Sequence, residues 1–485
     1  MLPNSLTFLV SLAGLVLAYY LFPHRFRWPL LLLASYYFYV SWEPGPTLLL
    51  IGLTLITYFM ALGIGKNTPR KKLLLVLGVL LNVSLQVLFK YFDFFMGEME
   101  TLMRGFGLTL AFPKLGLPLP VGLSFYTFSI ISYLVDVYRG KVEPERHIGR
   151  LAVYIAFFPK ILAGPIERAV TFLPQLRERI HFNPERMIEG SQLILWGLFK
   201  KVVIADRLAP FVNAAFENPT YTPTIQLIIA SYFFAFQIYC DFSGYTDIAR
   251  GTGKLFGFDI MENFRRAYLS KSAAEFWGSR WHISLATWFR DYMYIPMGGS
   301  RVSHPRHYFN LMAVFIVSGW WHAGLGFGVN WAFLIWGGLN GFYQWVSVGT
   351  AGIWRKLAEL LPWIKDRGIV NVVRILLTFH LITFAWIFFR ANSISDAWTV
   401  ITRIYKGWNL LPLMFETYAY TPEFLIAIAS IILLMIVEVL DERLPMWERL
   451  RTKPAFVRWP VYYALIFILL TLGKWGGEQF IYMQF

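Results

Sequence analysis

Cysteine and charge are the features that this sequence has least of. Its 485 residues include one cysteine, Cys240, which excludes an internal disulfide and any metal site built from several cysteines. Charged residues make up 15% of the chain, whereas about a quarter is usual in soluble proteins. No internal repeat or low-complexity linker divides the sequence, so we predict one domain over residues 1–485.

Apolar residues are abundant where charged residues are few. The chain is 57% hydrophobic and 18% aromatic, and long runs with almost no charge recur along its whole length. This composition predicts an all-α, polytopic membrane protein surrounded by lipids. The net charge of +15 is explained by basic loops that anchor the helices at the cytoplasmic face, and no nucleic-acid partner is predicted.

The apolar runs predict about eleven transmembrane helices. The first run lacks a basic leader and a small-residue cleavage site, so it is expected to be a retained helix and not a cleaved signal peptide. The predicted spans are Ser5–Phe22, Trp28–Trp42, Thr47–Ile64, Leu73–Phe92, Leu117–Val137, Thr224–Phe242, Tyr308–Trp321, Phe327–Val346, Val370–Phe389, Glu423–Val439 and Trp459–Leu472.

Basic residues predict the orientation of these helices. They cluster after the first, third and fifth spans and before the last, whereas acidic residues dominate the loops between. By the positive-inside rule, both termini are expected on the extracytoplasmic side.

The middle of the chain departs from this simple pattern. Ala156–Val170 holds two prolines, a glycine and a lysine, which favours a re-entrant segment over a membrane-spanning one. Pro184–Leu208 is predicted to be an amphipathic helix, and Ser270–Thr287 an interfacial helix.

Two histidines are the leading candidates for catalysis. His282 and His322 lie in the tryptophan- and glycine-rich segments Ser279–Gly299 and Ser318–Gly338. Imidazole is a poor solute for hydrocarbon and a good carrier of protons near neutral pH. A structural role in a hydrogen-bond network stays open for both. No metal is predicted, because neither a carboxylate nor a third histidine stands at ligand spacing.

Further polar and aromatic residues are candidates for lining a substrate tunnel. Asp241 and Ser243 lie at the end of an apolar run. Asp241 and the next carboxylate, Asp247, are six residues apart and do not share a helical face, so acid–base chemistry by a carboxylate pair is not favoured. Asp241 and Ser243 are instead expected to line the substrate path or cap a helix. The full set of candidate tunnel residues is Lys160, Asp241, Ser243, Trp321 and Asn330.

The segments around both histidines also resemble a known family. Arg280–Gly299 (RWHISLATWFRDYMYIPMGG) followed by SGWWHAG and NWAFLIWGGLNG is similar to the membrane-bound O-acyltransferase (MBOAT) superfamily, and best to the bacterial branch that O-acetylates alginate. The likeness extends over almost the whole chain. Other similar stretches are Asn4–Val10, Phe89–Phe95, Leu119–Gly140, Phe157–Ile166, Tyr239–Gly251 and Thr383–Ala391.

The resemblance implies a fold and a chemistry. It implies a helical bundle around a central tunnel, with His322 as the signature histidine and His282 as the second. The glycine-rich stretch Leu325–Val329 and Asn340, where the family often has histidine, depart from the pattern. The carboxy-terminal hexapeptide 480–485 is similar to a terminal aromatic motif of such acylation systems, which implies that Tyr482 accepts the acyl group.

Together these inferences predict an acetyl relay in a bacterial inner membrane. Acetyl-CoA is the expected donor and no cofactor is expected to be bound. An extracytoplasmic SGNH-type acetyltransferase is the expected partner, and a polysaccharide the final acceptor. Open alternatives are a teichoic acid D-alanyltransferase, a peptidoglycan O-acetylation subunit and, in a different class, a transporter or flippase.

Overall fold

The computed structural model describes residues 2–42, 44–66, 68–323, 329–360, 368–406, 421–476 and 480–481. Within these ranges the regular structure is entirely helical, as the sequence predicts. The helices up to residue 217 are α1 (Leu6–Leu21), α2 (Arg27–Val40), α3 (Pro44–Gly65), α4 (Lys71–Gln86), α5 (Phe92–Gly105), α6 (Leu123–Tyr138), α7 (Ile148–Ala156), α8 (Ala169–Arg177), α9 (Pro184–Leu198) and α10 (Asp206–Glu217). The remaining helices are α11 (Thr224–Leu255), α12 (Ala273–Glu275), α13 (Ile283–Phe289), α14 (His304–His322), α15 (Ala332–Leu360), α16 (Gly368–Arg390), α17 (Ile394–Lys406), α18 (Pro422–Arg443), α19 (Met446–Arg451) and α20 (Ala455–Leu472).

Four π-helical stretches occur in the part of the chain that the structure describes. They are Val87–Tyr91, Phe199–Ala205, Phe276–Arg280 and Arg290–Tyr294. Single-turn π-helices re-aim side chains and leave backbone groups available, and they are frequent at functional sites.

Six helices among the described residues are long and apolar enough to cross a membrane. They are Pro44–Gly65, Lys71–Gly105 (α4 and α5 with the π-helical stretch between them), Thr224–Leu255, Gly368–Arg390, Pro422–Arg443 and Ala455–Leu472, and two shorter apolar helices are Leu6–Leu21 and Leu123–Tyr138. Their outward faces carry large apolar side chains: Phe59 is 66% exposed and Leu470 is 65% exposed. Such a surface suits hydrocarbon and not water. The protein is a multi-pass membrane protein.

Two predicted helices differ from those in the structure: one begins later than predicted, and the other is interrupted. The fifth predicted span starts too early, because the helix begins at Leu123 and the preceding residues, which include Pro118 and Pro120, are not helical. Ser270–Thr287 is not one helix, because the chain breaks at Trp281 and His282 between a π-helical stretch and α13.

The segment predicted to be re-entrant is a buried, non-helical connection. Residues 157–167 follow the end of α7, and every one of them is buried. Their backbone is held by side chains: Ser35 Oγ accepts from the Phe158 amide at 3.1 Å, and Tyr245 Oη donates to the Pro159 carbonyl at 3.1 Å. Irregular backbone is tolerated inside a membrane protein only when it is buried in protein in this way. Whether the segment enters a bilayer stays a prediction.

Glycines allow α9 and α11 to pack with their backbones in contact. A Cβ on Gly197 would meet the carbonyl oxygen of Gly244 at 2.6 Å, and one on Gly244 would meet that of Gly197 at 2.8 Å. Small residues that permit such approach are typical of membrane helix interfaces. The packing brings Lys201, just beyond α9, against Asp241 on α11.

Candidate active site

His322 is the last residue of α14, and its side chain is buried. Its Nδ1 lies 2.7 Å from the carbonyl oxygen of Ser318, one helical turn earlier. A carbonyl can only accept a hydrogen bond, so Nδ1 must carry the proton and donate it. In the neutral ring this leaves the lone pair on Nε2, which is the arrangement a general base needs.

Aromatic rings from three helices surround the imidazole of His322. The ring centroids of Trp321, Trp336 and Phe389 lie 4.6, 5.0 and 5.8 Å from it. Trp336 comes from α15 and Phe389 from α16, so packing of these helices fixes the orientation of the ring. This environment excludes water and keeps a neutral imidazole neutral.

His282 lies in the break before α13, in the left-handed backbone region. Its φ is 45° and its ψ is 53°, a conformation that costs a non-glycine residue about 1–2 kcal/mol. Asn263 holds the turn that follows: its carbonyl accepts from the Ile283 amide at 2.9 Å, and its Oδ1 accepts from the Ser284 amide at 3.1 Å and the Ser284 hydroxyl at 2.9 Å. A strained residue fixed by its surroundings is a frequent property of functional sites.

The side chain of His282 is buried among phenylalanines. The ring centroids of Phe242, Phe125 and Phe264 lie 4.7, 6.4 and 6.4 Å away. Burial lowers the pKa of His282 well below its ordinary value, and nearby His322 lowers it further. His282 is therefore neutral at physiological pH, with one ring nitrogen able to donate and the other to accept.

Trp321 joins the two histidines. Its ring centroid lies 6.5 Å from that of His282, and it is the chain neighbour of His322. The structure therefore brings His282, Trp321 and His322 into one buried aromatic cluster, which we call the chamber, although the histidines are 40 positions apart in the sequence.

Lys90 is a further residue of this chamber. It lies in the π-helical stretch after α4, its side chain is buried, and its Nζ donates to the backbone carbonyl of Trp321. The next residue, Tyr91, donates to the carbonyl of Trp320 at 2.9 Å and stacks on that ring at 4.9 Å. Lys90 was not among the residues predicted from the sequence. A lysine inside the predicted membrane span Leu73–Phe92 was a signal that could have found it.

Three of the other candidate tunnel residues lie on or next to helices that border the chamber. Asp241 and Ser243 are buried inside α11 on either side of Phe242, which contacts His282, so neither caps a helix. Asn330 caps α15, since its Oδ1 accepts from the Ala332 amide at 2.8 Å.

Lys160 belongs to the buried connection after α7. Its Nζ lies 4.6 Å from the centroid of Tyr154. Burial lowers the pKa of Lys160 to about 8, and the carboxylate of Glu167 opposes that shift. Tyr245 links this segment to α11 through its bond to the Pro159 carbonyl.

Two predicted features fall outside the described residues. They are Tyr482 and most of the glycine-rich stretch after His322, residues 324–328. Within the described ranges, no group of three or more histidine, cysteine, aspartate or glutamate residues could hold a metal ion.

Comparisons with known proteins show the family of this chain. The model of the membrane-bound O-acyltransferase family matches residues 145–390, which include both histidines. A probable alginate O-acetylase of Pseudomonas aeruginosa is 36% identical over 399 residues, which cover 81% of this chain and 72% of that protein. The chain belongs to the membrane-bound O-acyltransferase family.

The chain is also similar to acyltransferases with other names. A peptidoglycan O-acetyltransferase of Helicobacter pylori is 35% identical over 399 residues, covering 76% of this chain and 72% of that protein. A teichoic acid D-alanyltransferase of Bacillus subtilis is 26% identical over 281 residues, covering 56% of this chain and 68% of the relative. The protein is an O-acyltransferase of the MBOAT type, which confirms the resemblance seen in the sequence.

The residues matched by the family model include most, but not all, of the residues that build the chamber and its surroundings. The matched range 145–390 holds His282, His322 and the aromatic rings around them. It leaves out Lys90 and residues 480–481, although the folded chain places Lys90 on the Trp321 carbonyl and Ile481 on Asp241. The family match does not reveal these two contacts, which are seen only in the three-dimensional structure.

Proposed function

We propose that this protein transfers acetyl groups from cytoplasmic acetyl-CoA to an extracytoplasmic polysaccharide of the alginate type. The observation that carries the chemistry is the bond between His322 Nδ1 and the Ser318 carbonyl, which puts the ring proton on Nδ1 and the lone pair on Nε2. Acetyl transfer and an alginate-like acceptor are supported by the relatives, of which several are probable alginate O-acetylases.

The reaction in the chamber is an acyl transfer from a thioester to a hydroxyl. The hydroxyl oxygen attacks the thioester carbonyl carbon while its proton passes to Nε2 of His322. As the tetrahedral intermediate collapses, the C–S bond breaks, the thiolate of CoA leaves, and the proton on Nε2 is released to it. His282, neutral and within one aromatic ring of His322, donates to the carbonyl oxygen as negative charge develops there.

The acceptor in this proposal is Tyr482, which would form an acyl-tyrosine ester as the intermediate of the relay. An extracytoplasmic SGNH-type acetyltransferase then moves the acetyl group to the polysaccharide. The relay requires that the donor reach the chamber from the cytoplasm and that the acyl group leave on the other side of the membrane. Support for it therefore comes from the segments that face the cytoplasm.

Segments predicted to be cytoplasmic meet at one end of the bundle. Tyr20, at the end of α1, donates to the carbonyl of Leu255, at the end of α11, at 3.0 Å. Glu189 pairs with Lys254 at 3.0 Å and with Arg451 from α19. The loops after α1 and before α20 are predicted to be cytoplasmic, and both are linked by these contacts to the end of α11, which supports one shared cytoplasmic face.

A continuous row of aromatic rings leads from that face to the chamber. Arg139, in a predicted cytoplasmic loop, lies 5.5 Å from the centroid of Tyr292. From there the centroids are separated by 5.3 Å to Trp288, 4.3 Å to Phe128 and 5.0 Å to Trp321. A guanidinium at the outer end suits the phosphates of CoA, and an aromatic wall suits its apolar arm.

The proposal is tested by mass spectrometry of the carboxy-terminal peptide after incubation with isotopically labelled acetyl-CoA. We expect label on Tyr482 in the wild type, and none in Tyr482→Phe or His322→Ala. The matched control is His380→Ala, because His380 also contacts the carbonyl four residues earlier at 2.7 Å but lies on α16 away from the chamber. Label retained by His322→Ala would remove the catalytic assignment.

Competing donors and acceptors are separated in the same assay. A D-alanyl thioester on a carrier protein replaces acetyl-CoA in one arm, and peptidoglycan replaces alginate as final acceptor in another. Transfer only from the carrier protein, or only to peptidoglycan, would replace the proposed substrates by those in the names of the other relatives. A wild type that takes no label from either donor contradicts the relay.

A further inference from the structure

The chain after α20 turns back into the protein. The helix ends at Leu472, and the amide of Lys474 then donates to the carbonyl of Val202 at 2.8 Å. Val202 lies in the π-helical stretch Phe199–Ala205, and Arg207 just beyond it donates to the Leu472 carbonyl. The segment is therefore fastened to the connection between α9 and α10 as soon as it leaves its helix.

The start of the carboxy-terminal hexapeptide is buried. Phe480 and Ile481 are 1% and 3% exposed. The amide of Ile481 donates to Asp241 Oδ2 at 2.7 Å. The centroid of the Phe480 ring lies 4.2 Å from Lys201 Nζ, and the ring packs edge-on against Tyr245 at 4.9 Å.

The partners of these two residues form a buried ion cluster. Lys201 Nζ lies 2.6 Å from Asp241 Oδ1 and 2.8 Å from Asp206 Oδ1, and all three side chains are buried. Burial by itself lowers the pKa of Lys201, but the carboxylates of Asp241 and Asp206 raise it above its ordinary value, so the lysine is charged. Two carboxylates face one ammonium here. The excess negative charge needs further donors, and the Ile481 amide is one.

Asp241 divides its two oxygens between the cluster and the hexapeptide. Its Oδ1 accepts from Lys201 and its Oδ2 accepts from the Ile481 amide. The next residue of α11, Phe242, is in contact with His282 at 4.7 Å. The binding site for the hexapeptide and the wall of the acyl-transfer chamber are therefore built on consecutive residues of one helix.

We propose that the Lys201–Asp206–Asp241 cluster is a docking site that holds the hexapeptide in position to accept the acyl group. Asp241 and Lys201 are positioning residues in this scheme, and Phe480 and Ile481 are the anchor. This inference rests on the proposed function. Consecutive Cα atoms lie about 3.8 Å apart, so fixing Ile481 limits the volume that the next residue, the tyrosine, can reach.

The first experiment measures docking without any acyl transfer. The native cysteine is removed by Cys240→Ala, Ile481→Cys is introduced, and the rate of maleimide labelling is followed in the full-length protein. Asp241→Asn is then added, which keeps the shape of the side chain but removes its charge. We expect labelling at position 481 to be about tenfold faster, because a lost charge-assisted hydrogen bond is worth about that factor.

Two controls separate undocking from loss of the fold. Asp247→Asn breaks a second lysine–carboxylate pair of the same helix, with Lys200 at 2.6 Å, and should leave labelling at 481 within about twofold of the parent. Ala61→Cys, at a buried position of α3, reports on the core and should stay protected in every variant. Phe480→Ala changes only the anchor and should also accelerate labelling at 481.

The labelling rates decide whether the docking site exists. Slow labelling in both Asp241→Asn and Phe480→Ala, with the core protected, would overturn the docking site, and so would rapid labelling in the parent. When Ala61→Cys becomes reactive in Asp241→Asn, that variant has lost its fold, and Phe480→Ala alone gives the answer.

The second experiment connects docking with transfer. Acetyl label on the carboxy-terminal peptide should fall about tenfold in Asp241→Asn and stay near wild type in Asp247→Asn. Equal label in the two variants, with position 481 undocked in the first, would show that docking does not position the acceptor. A wild type that docks its hexapeptide but takes no label contradicts the proposed function and leaves the docking site standing.

Discussion

Lys90 donates a hydrogen bond to the backbone carbonyl of Trp321, 231 residues further along the chain. The Tyr91 hydroxyl approaches the same carbonyl less closely, at 3.5 Å. The lysine thus holds the backbone of Trp321, whose ring lies next to both His282 and His322.

Replacing this lysine is therefore expected to impair transfer. Lys90→Met keeps the length of the side chain and removes the donor, so the Trp321 carbonyl loses its partner at a cost of about 1–3 kcal/mol. We expect the rate of acetyl labelling to fall at least about tenfold. The measurement is the initial rate at saturating acetyl-CoA, with exposed Lys72→Met as control. Equal rates for the two variants would show that Lys90 has no part in the reaction.

Asn263 is expected to matter through the backbone of His282. Asn263→Ala removes the acceptor of both the Ser284 amide and the Ser284 hydroxyl, and so loosens the left-handed turn. We expect a loss of about 1–3 kcal/mol in stability and a fall in kcat with little change in KM for acetyl-CoA.

A second buried asparagine provides the comparison. Asn310→Ala, which removes bonds to the carbonyls of Met297 and Gly299, should cost similar stability and much less activity. Thermal unfolding and steady-state kinetics on both variants check this. Parallel losses of activity at equal stability would assign Asn263 to the fold alone.

The contact between α14 and α15 is expected to control the position of His322. A Cβ on Gly337 would meet the Phe315 carbonyl oxygen at 2.5 Å and the Cα of Gly319 at 3.2 Å, so Gly337→Ala must push the helices apart. We expect a loss of about 1–3 kcal/mol in stability, together with reduced transfer.

The matched control lies on the same helix. A Cβ added at Gly352 would point into open space, so Gly352→Ala should be neutral or stabilise by up to about 1 kcal/mol. Thermal unfolding in detergent distinguishes the two variants. Tolerance of Gly337→Ala without loss of activity would mean that His322 does not depend on this helix contact.

Patterns along the chain were enough to predict the helical membrane fold and the two histidines. Long apolar runs carry the first signal, because hydrocarbon demands internally bonded helices. The second signal is a polar ring among tryptophans, and the structure does bring His282 and His322 to the same aromatic chamber.

Features that depend on distant parts of the chain were missed. Nothing near Lys90 points to Trp321, and nothing near Asn263 reveals that His282 adopts a positive φ. The helix break at Trp281 and His282 was also missed, since no proline marks it and the strain is held by tertiary hydrogen bonds. Asp241 was selected as a polar residue after an apolar run, but its bonding partner Ile481 is 240 residues away in sequence.

The buried amide of Ile481 bears on how the protein should be produced. A purification tag fused just after the hexapeptide would begin only a few residues beyond the backbone that Asp241 holds at Ile481, and its bulk would conflict with that contact. A tag inserted among the exposed residues 105–111, between α5 and α6, avoids that conflict and leaves the carboxy-terminal peptide native for mass spectrometry.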